Sequence, residues 1–339
     1  MQFPFLDTFV VIKHKNAGKI ESHMWFFKGF CQYFEPNYIQ LVDIGTLPLK
    51  HSISDMALFM EAKPRVGGLC GEIEVKFPED KSFRQNALAS AQYVEYKISH
   101  YLDKQCENLF GFVSVRPGGF SMLRWDAIKC DPLSRFFMGL NREALSAFDA
   151  NMYLAEDRVM CLEILTKKEE NWHLKYLHGA KALTDVPLNL STLVKQRRRW
   201  INGSLMASWY CIVNFCRIKQ SSHSCCYAFL VSLLFLYMIL YMLLTVFLVG
   251  SFYSAFSIFM RSFYPSDECR SFNHLSNVVE NVYLIFLFII LIVSVTRRAD
   301  EAEFSFLVAA GVLGFFMVVT IIATFYFFFL GDDGKLHKH

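Results

Sequence analysis

The sequence predicts a layered α/β domain with a largely parallel sheet, followed by α-helices that cross a membrane. Three observations carry this reading. Nearly all the charge lies in residues 1–220, short apolar runs alternate there with helically patterned segments, and long stretches after residue 226 carry no charge. Alternating strands and helices build a layered domain around a parallel sheet, and about 20 uncharged apolar residues suffice to span a bilayer. With 54% of 339 residues hydrophobic and 35 phenylalanines, the chain is too apolar for an ordinary soluble protein of its length.

The elements follow in order. Phe9–Ile12 and Ile39–Val42 are short apolar runs ended by polar or turn residues, the pattern of buried strands. Between them Glu21–Tyr33 is helical in pattern. A second helix is expected over Ala87–Asn108, where Ala91, Val94, Ile98, Tyr101 and Leu102 form an apolar face. Phe112–Val115 reads as a strand, broken into a loop by Pro117-Gly118-Gly119. Ligands in such domains sit at the carboxyl ends of the strands. Residues 1–220 thus form one domain, closed by a helix over about 191–215 that lies along the membrane surface.

Residues 226–330 are expected to cross the membrane about three times, over 226–250, 281–296 and 304–330. No basic segment followed by an apolar core and a cleavage site opens the chain, so residues 1–220 are expected on the cytoplasmic side. Arg297 and Arg298 place their loop on that same side and leave the tail GDDGKLHKH across the membrane. The sequons at Asn189 and Asn202 are then expected to stay unglycosylated.

A net charge of +3 gives no global field for a polyanion and speaks against a nucleic-acid partner. Ten cysteines contain no CxxC pair and no zinc-type Cys/His spacing, as in a chain kept reduced. Cys225-Cys226, before an apolar run, is a weak lipidation motif.

Three constellations could carry chemistry. Asp43 ends an apolar strand in LVDIGT, where a hard oxygen ligand is well presented to Mg²⁺ or Mn²⁺ on a diphosphate, or caps an ordinary turn. Glu156 and Asp157 open the segment Val159–Leu165, either as helix-start carboxylates or as an acid–base group tuned by proximity and burial. In KQRRRWING, Gln196, Arg199 and Trp200 share a helical face bearing an amide, a guanidinium and an indole. That face suits a sugar diphosphate, whereas Arg197 and Arg198 point elsewhere, to lipid or neighbouring carboxylates.

Six stretches carry a resemblance: KNAGKIESHMWFF (15–27), LVDIGTLP (41–48), QYVEYKISHYLDK (92–104), GFVSVRPGGFSMLRW (111–125), NMYLAEDRV (151–159) and TDVPLNLSTLVKQRRRWING (184–203). In these, and in their order, the chain resembles the chitin synthases, processive family 2 glycosyltransferases of membranes. Q-x-x-R-W alone is shared with cellulose and hyaluronan synthases. The resemblance implies a GT-A-like glycosyltransferase domain followed by transmembrane α-helices in the plasma membrane. It further implies transfer of N-acetylglucosamine from UDP-GlcNAc, with inversion, to the 4-hydroxyl of a growing β-1,4 chitin chain.

In that likeness Asp157 is the general base, with Glu156 beside it, and Asp43 holds the divalent cation, Mg²⁺ or Mn²⁺. Gln196, Arg199 and Trp200 line the meeting point of diphosphate and acceptor sugar, Lys13 and Lys19 match donor-binding positions, and Gly118 and Ser121 border the acceptor. Complete members carry earlier strands with the uridine pocket and later helices with a W-G-T-[RK] segment, so the chain is expected to be a core fragment or a shortened gene product. Two alternatives stay open: a catalytically silent fragment or membrane subunit, and a related cellulose- or hyaluronan-type synthase. Oligomerisation with itself is also left open.

Overall fold

The computed structural model describes residues 7–15, 18–77, 82–116, 118–141, 144–262, 270–296 and 303–330. Its sheet has five strands: β1 Tyr38–Val42, β2 Thr46–Pro48, β3 Val66–Val75, β4 Phe120–Arg124 and β5 His173–Thr184. They lie in the order β1-β4-β3-β5-β2. Only β3 and β5 pair in parallel, and the other three pairings are antiparallel. The largely parallel sheet expected from the sequence is therefore corrected to a mixed one. Alternation along a chain records that elements alternate, but it does not record that β4 inserts between β1 and β3 and runs against both.

This topology still gathers the carboxyl ends of β1, β3 and β5 on one side, next to the start of β4. Asp43, Ile44 and Gly45 join the two outer strands there, in a turn closed by the Thr46 N–H donating to Asp43 O at 3.0 Å. Laid flat, four strand spacings would separate those strands by about 19 Å. The sheet is consequently rolled until its edges approach at this end. Gly45 takes φ +86° in the turn, a conformation that glycine adopts at little cost.

β3, VGGLCGEIEV, is the central strand and is buried along most of its length. Its glycines admit close neighbours: a methyl group on Gly67 would lie 2.7 Å from Ala127 Cβ, and one on Gly71 would lie 2.5 Å from Ala180 O. One face of the sheet packs Met56, Met60, Phe120 and Met122 together. The larger cluster contains Phe27, Phe112, Trp125, Phe136 and the helix Glu156–Leu165. That helix is buried on every side from Val159 to Leu165, as a central helix must be.

Two expected strands are absent. Phe9–Ile12 runs without strand pairing and stays exposed, Ile12 at 90%. Phe112–Val115 is core filling instead: Gly111 O accepts from Leu174 N–H at 3.1 Å, and Ser114 N–H donates to Glu107 Oε2 at 3.0 Å. The expected helices form with local π-helical widening, Lys19–Met24 through Trp25–Cys31 to Gln32–Phe34, and Phe83–Ile98 through Ser99–Asp103 to Lys104–Leu109.

After the domain come helices Cys225–Ser262, Arg270–Thr296 and Glu303–Leu330. Among the described residues one stretch, Cys225–Thr245, is long and apolar enough to cross a membrane. Glu280–Val293 and Phe304–Val318 are shorter apolar stretches among the described residues. The first turns of Cys225–Ser262 also belong to the domain: Val231, Leu234 and Phe235 are in its core, and Phe235 stacks on Phe215 at 4.2 Å. Pro117, Arg297, Arg298 and the GDDGKLHKH tail, which entered the loop and orientation expectations, lie outside the described residues.

Candidate active site

Glu156 and Asp157 occupy the first turn of their helix, where the helix dipole favours negative charge. Lys19, at the start of its own helix, places Nζ 2.9 Å from Glu156 Oε1 and 3.8 Å from Asp157 Oδ2. Gly118 N–H donates to Asp157 Oδ2 at 3.0 Å. A methyl group at position 118 would sit 2.7 Å from both Asp157 Oδ2 and Lys19 Nζ, so it would have to displace the ends of those side chains. The next residue faces the other carboxylate. A methyl group on Gly119 would meet Asp43 Oδ2 at 3.2 Å, and Asp43 N–H donates to Gly119 O at 3.1 Å. Two successive glycines thus set Asp157 and Asp43 around one loop at the carboxyl end of β1.

The electrostatics are those of a shared ammonium. Burial acts to lower the pKa of Lys19, but Asp157, Glu156 and Asp43 outweigh it, and the pKa is raised. Burial and then the Asp157 charge raise Glu156 against the opposing pull of Lys19. His23 is pushed down to about 4, first by burial and then by Lys19. Glu156 thus shows the tuning anticipated from proximity and burial.

The KQRRRWING segment lies in helix Leu190–Asn214, whose Gly203 packs onto the turn Tyr153–Ala155 that leads into the carboxylate helix. A methyl group on Gly203 would stand 2.9 Å from Ala155 N, the residue before Glu156. Farther along, Glu163 accepts from both guanidinium nitrogens of Arg217 at 2.7 Å and from Tyr210 Oη at 2.7 Å. The two helices are thus tied at both ends of their contact.

Gln196 and Trp200 are half-buried and Arg199 is exposed. Arg197 does not point away from that face, as helical spacing suggested. Its guanidinium lies 4.4 Å from the Trp200 ring centroid and donates to Gln196 Oε1 at 3.4 Å. Residues three apart are helix neighbours too, so 197 and 200 meet.

The two lysines part company. Lys19 enters the carboxylate cluster, whereas Lys13 pairs with Glu21 at 3.2 Å. Lys13 also borders a cavity of about 540 Å³ walled by Phe9, Trp25, Phe30, Phe34 and Tyr38. Ser121 is buried in β4, where its hydroxyl accepts from Arg116 at 2.5 Å.

Sequence reasoning passed over Glu95, which pairs with Arg197, and Asp185, whose Oδ2 lies 3.2 Å from where a Gly45 methyl group would be. Both stand inside stretches noted for resemblance, QYVEYK and TDVPLNL, but no spacing rule linked them to distant partners. No group of three or more His, Cys, Asp or Glu is placed to hold a metal ion among the described residues. Mg²⁺ binds through one or two carboxylates together with substrate phosphates, and exposed Asp43, beside the space that Gly119 leaves, fits that mode.

The mixed α/β layer thus sets a carboxylate pair against an ammonium at the carboxyl end of β1, beside the helix that carries Gln196 and Trp200. Residues 3–215 match the family described as chitin synthase-like glycosyltransferase domain, and the chain belongs to that family. It is 35% identical to Chitin synthase 2 of Mycosarcoma maydis over 97% of this chain and 31% of that protein. It is 36% identical to Chitin synthase 1 of Saccharomyces cerevisiae over 93% of this chain and 28% of that protein. Chitin synthase C of Aspergillus oryzae is 42% identical over 73% of this chain and 28% of its own length. The chain thus spans about a third of these curated relatives.

Proposed function

We propose that the chain transfers N-acetylglucosamine from UDP-GlcNAc to the 4-hydroxyl of a growing β-1,4-linked chitin chain, inverting the anomeric carbon and passing the polymer across the membrane. The observation that supports this most is the Lys19–Glu156–Asp157 cluster around Gly118, in a chain of this family. Asp157, oriented by the Gly118 N–H, takes the proton of the acceptor hydroxyl as that oxygen attacks the anomeric carbon. The bond from that carbon to the diphosphate breaks and UDP leaves. Lys19, now shared by two carboxylates, turns toward the diphosphate as donor enters, which frees Asp157 to act as base. Asp43 would hold a divalent cation, which supplies charge neutralisation to the leaving group.

Gln196, Arg199 and Trp200 contact the acceptor sugar and the diphosphate, and Gly118 lies at the meeting point. Residues 1–220 face the cytoplasm, and the apolar helices cross the plasma membrane more than once. The test is incorporation of UDP-[¹⁴C]GlcNAc into chitinase-sensitive polymer by membranes carrying the chain, with Mg²⁺ or Mn²⁺. Polymer from the unmutated chain and none from Asp157→Asn is expected. Polymer made equally well by Asp157→Asn removes that residue as the base, and no polymer from either favours the silent-subunit reading.

A further inference from the structure

We propose that Arg197 is a positioning residue, anchored by Glu95, that fixes how Gln196 and Trp200 meet the acceptor. This rests on the reading above that those two side chains contact the acceptor sugar. One planar group serves Trp200, Gln196 and Glu95 together. The Arg197 guanidinium lies over the Trp200 ring with Cζ 4.4 Å from its centroid. Its edges donate to Gln196 Oε1 at 3.4 Å and to Glu95 Oε2 at 2.6 Å. A guanidinium combines stacking with in-plane donation, which an ammonium cannot do.

Two chemical consequences follow. A guanidinium only donates, so the Gln196 atom facing it is the carbonyl oxygen, and the amide N–H₂ is turned outward as a donor to a sugar hydroxyl. The indole, covered on one face, offers a single face to a pyranose. An acceptor chain that stacks there has one side on which to lie.

The Glu95 carboxylate is 52% exposed, but the helix that carries it is held fast. Glu95 belongs to helix Phe83–Ile98, and buried Gln92 of that helix donates to Pro187 O at 2.8 Å, just ahead of helix Leu190–Asn214. Lys97, two residues beyond Glu95, is gripped by Glu72 and Glu74 of β3 at 2.7 Å each. Helix Phe83–Ile98 therefore splints the entry to KQRRRWING against the central strand. Arg198 and Arg199, by contrast, are exposed and make no hydrogen bond or ion pair among the described residues.

The experiment measures fluorescence polarisation of labelled N-acetylchitotetraose with the full chain in detergent, which needs no turnover, alongside the thermal midpoint of each variant. Arg197→Ala is expected to weaken binding about tenfold, and Arg197→Lys, which keeps charge but not the plate, about threefold. Glu95→Ala/Arg197→Ala is expected to be no weaker than Arg197→Ala alone, since the pair acts as a unit. Arg198→Ala is expected to bind as the unmutated chain does. If Arg197→Ala fails to fold, Arg197→Lys and Glu95→Gln decide by the same criterion. Unchanged affinity in the Arg197 variants with loss in Trp200→Ala overturns the clamp and leaves the acceptor face standing. Unchanged affinity in Trp200→Ala removes the acceptor face itself, and the clamp with it.

Discussion

Gly118→Ala separates the chemistry of the site from the stability of the fold. The added methyl group would lie 2.7 Å from Asp157 Oδ2, 2.7 Å from Lys19 Nζ and 3.1 Å from Asp157 Oδ1, so the atoms around it must move. All of them end flexible side chains. The fold yields cheaply, and removing glycine from the unfolded chain returns about 0.4–1 kcal/mol of stability. What is lost is the placement of Asp157, including a 3.0 Å bond from the Gly118 N–H. A hydrogen bond to a charged group contributes about 1.5–3 kcal/mol. Lost from the transition state, that corresponds to a fall in rate of roughly 10- to 100-fold.

The methyl group also pushes Lys19 off Glu156, removing the influence that opposes the rise in the Glu156 pKa. The assay is polymer synthesis from UDP-[¹⁴C]GlcNAc between pH 5 and 9, paired with a thermal melt. Gly179→Ala, whose methyl group meets nothing within 4 Å, is the neutral control. Full activity in Gly118→Ala with an unchanged melt would refute the placement of catalysis around Asp157, and a collapsed melt would refute the separation of site from fold.

Two further outcomes concern stability. Glu163→Ala strips a carboxylate that is 1% exposed from Arg217 and Tyr210, and breaking such a buried pair costs about 3 kcal/mol, read by denaturant unfolding in detergent. A loss below about 1 kcal/mol would mean that the tie between the two helices is not held there. Burial acts to raise Glu74, but hydrogen bonds from Lys97 and Lys181 prevail and bring it from 4.5 to about 2. Its folded value is depressed, so its stabilisation is complete above about pH 4.5 and is lost as pH falls toward 2. Glu74→Gln is expected to flatten the acid limb of the unfolding midpoint against pH, and an unaltered limb would discount this carboxylate.

The residues of the candidate site were easier to single out in the sequence than the strands of the sheet. Asp43, Gly118 and the Glu156-Asp157 pair sit at element boundaries, where turn chemistry and a change of pattern expose them. Phe9–Ile12 shows why the strands were harder. The run has strand propensity, but a strand also needs a partner along its edge, and propensity carries no information about that. β3 was not among the expected strands. VGGLCGEIEV is rich in glycine, and Gly67 and Gly71 are where Ala127 and Ala180 press against it. Arg197 was sorted by helical face alone, and its anchor Glu95 lies 102 residues away.

The apolar helix that begins at Cys225 has a practical consequence. A hydropathy plot invites a cut just ahead of it to liberate a soluble enzyme. Val231, Leu234 and Phe235, however, fill the same core as Phe112 and the carboxylate helix, and Tyr227 Oη donates to Gly111 O at 2.9 Å. A version ending near residue 224 would leave its interior open to water along one wall. The helix Cys225–Ser262 and the domain are one folding unit at this joint, so a cut there removes part of the core that surrounds the helix carrying Asp157.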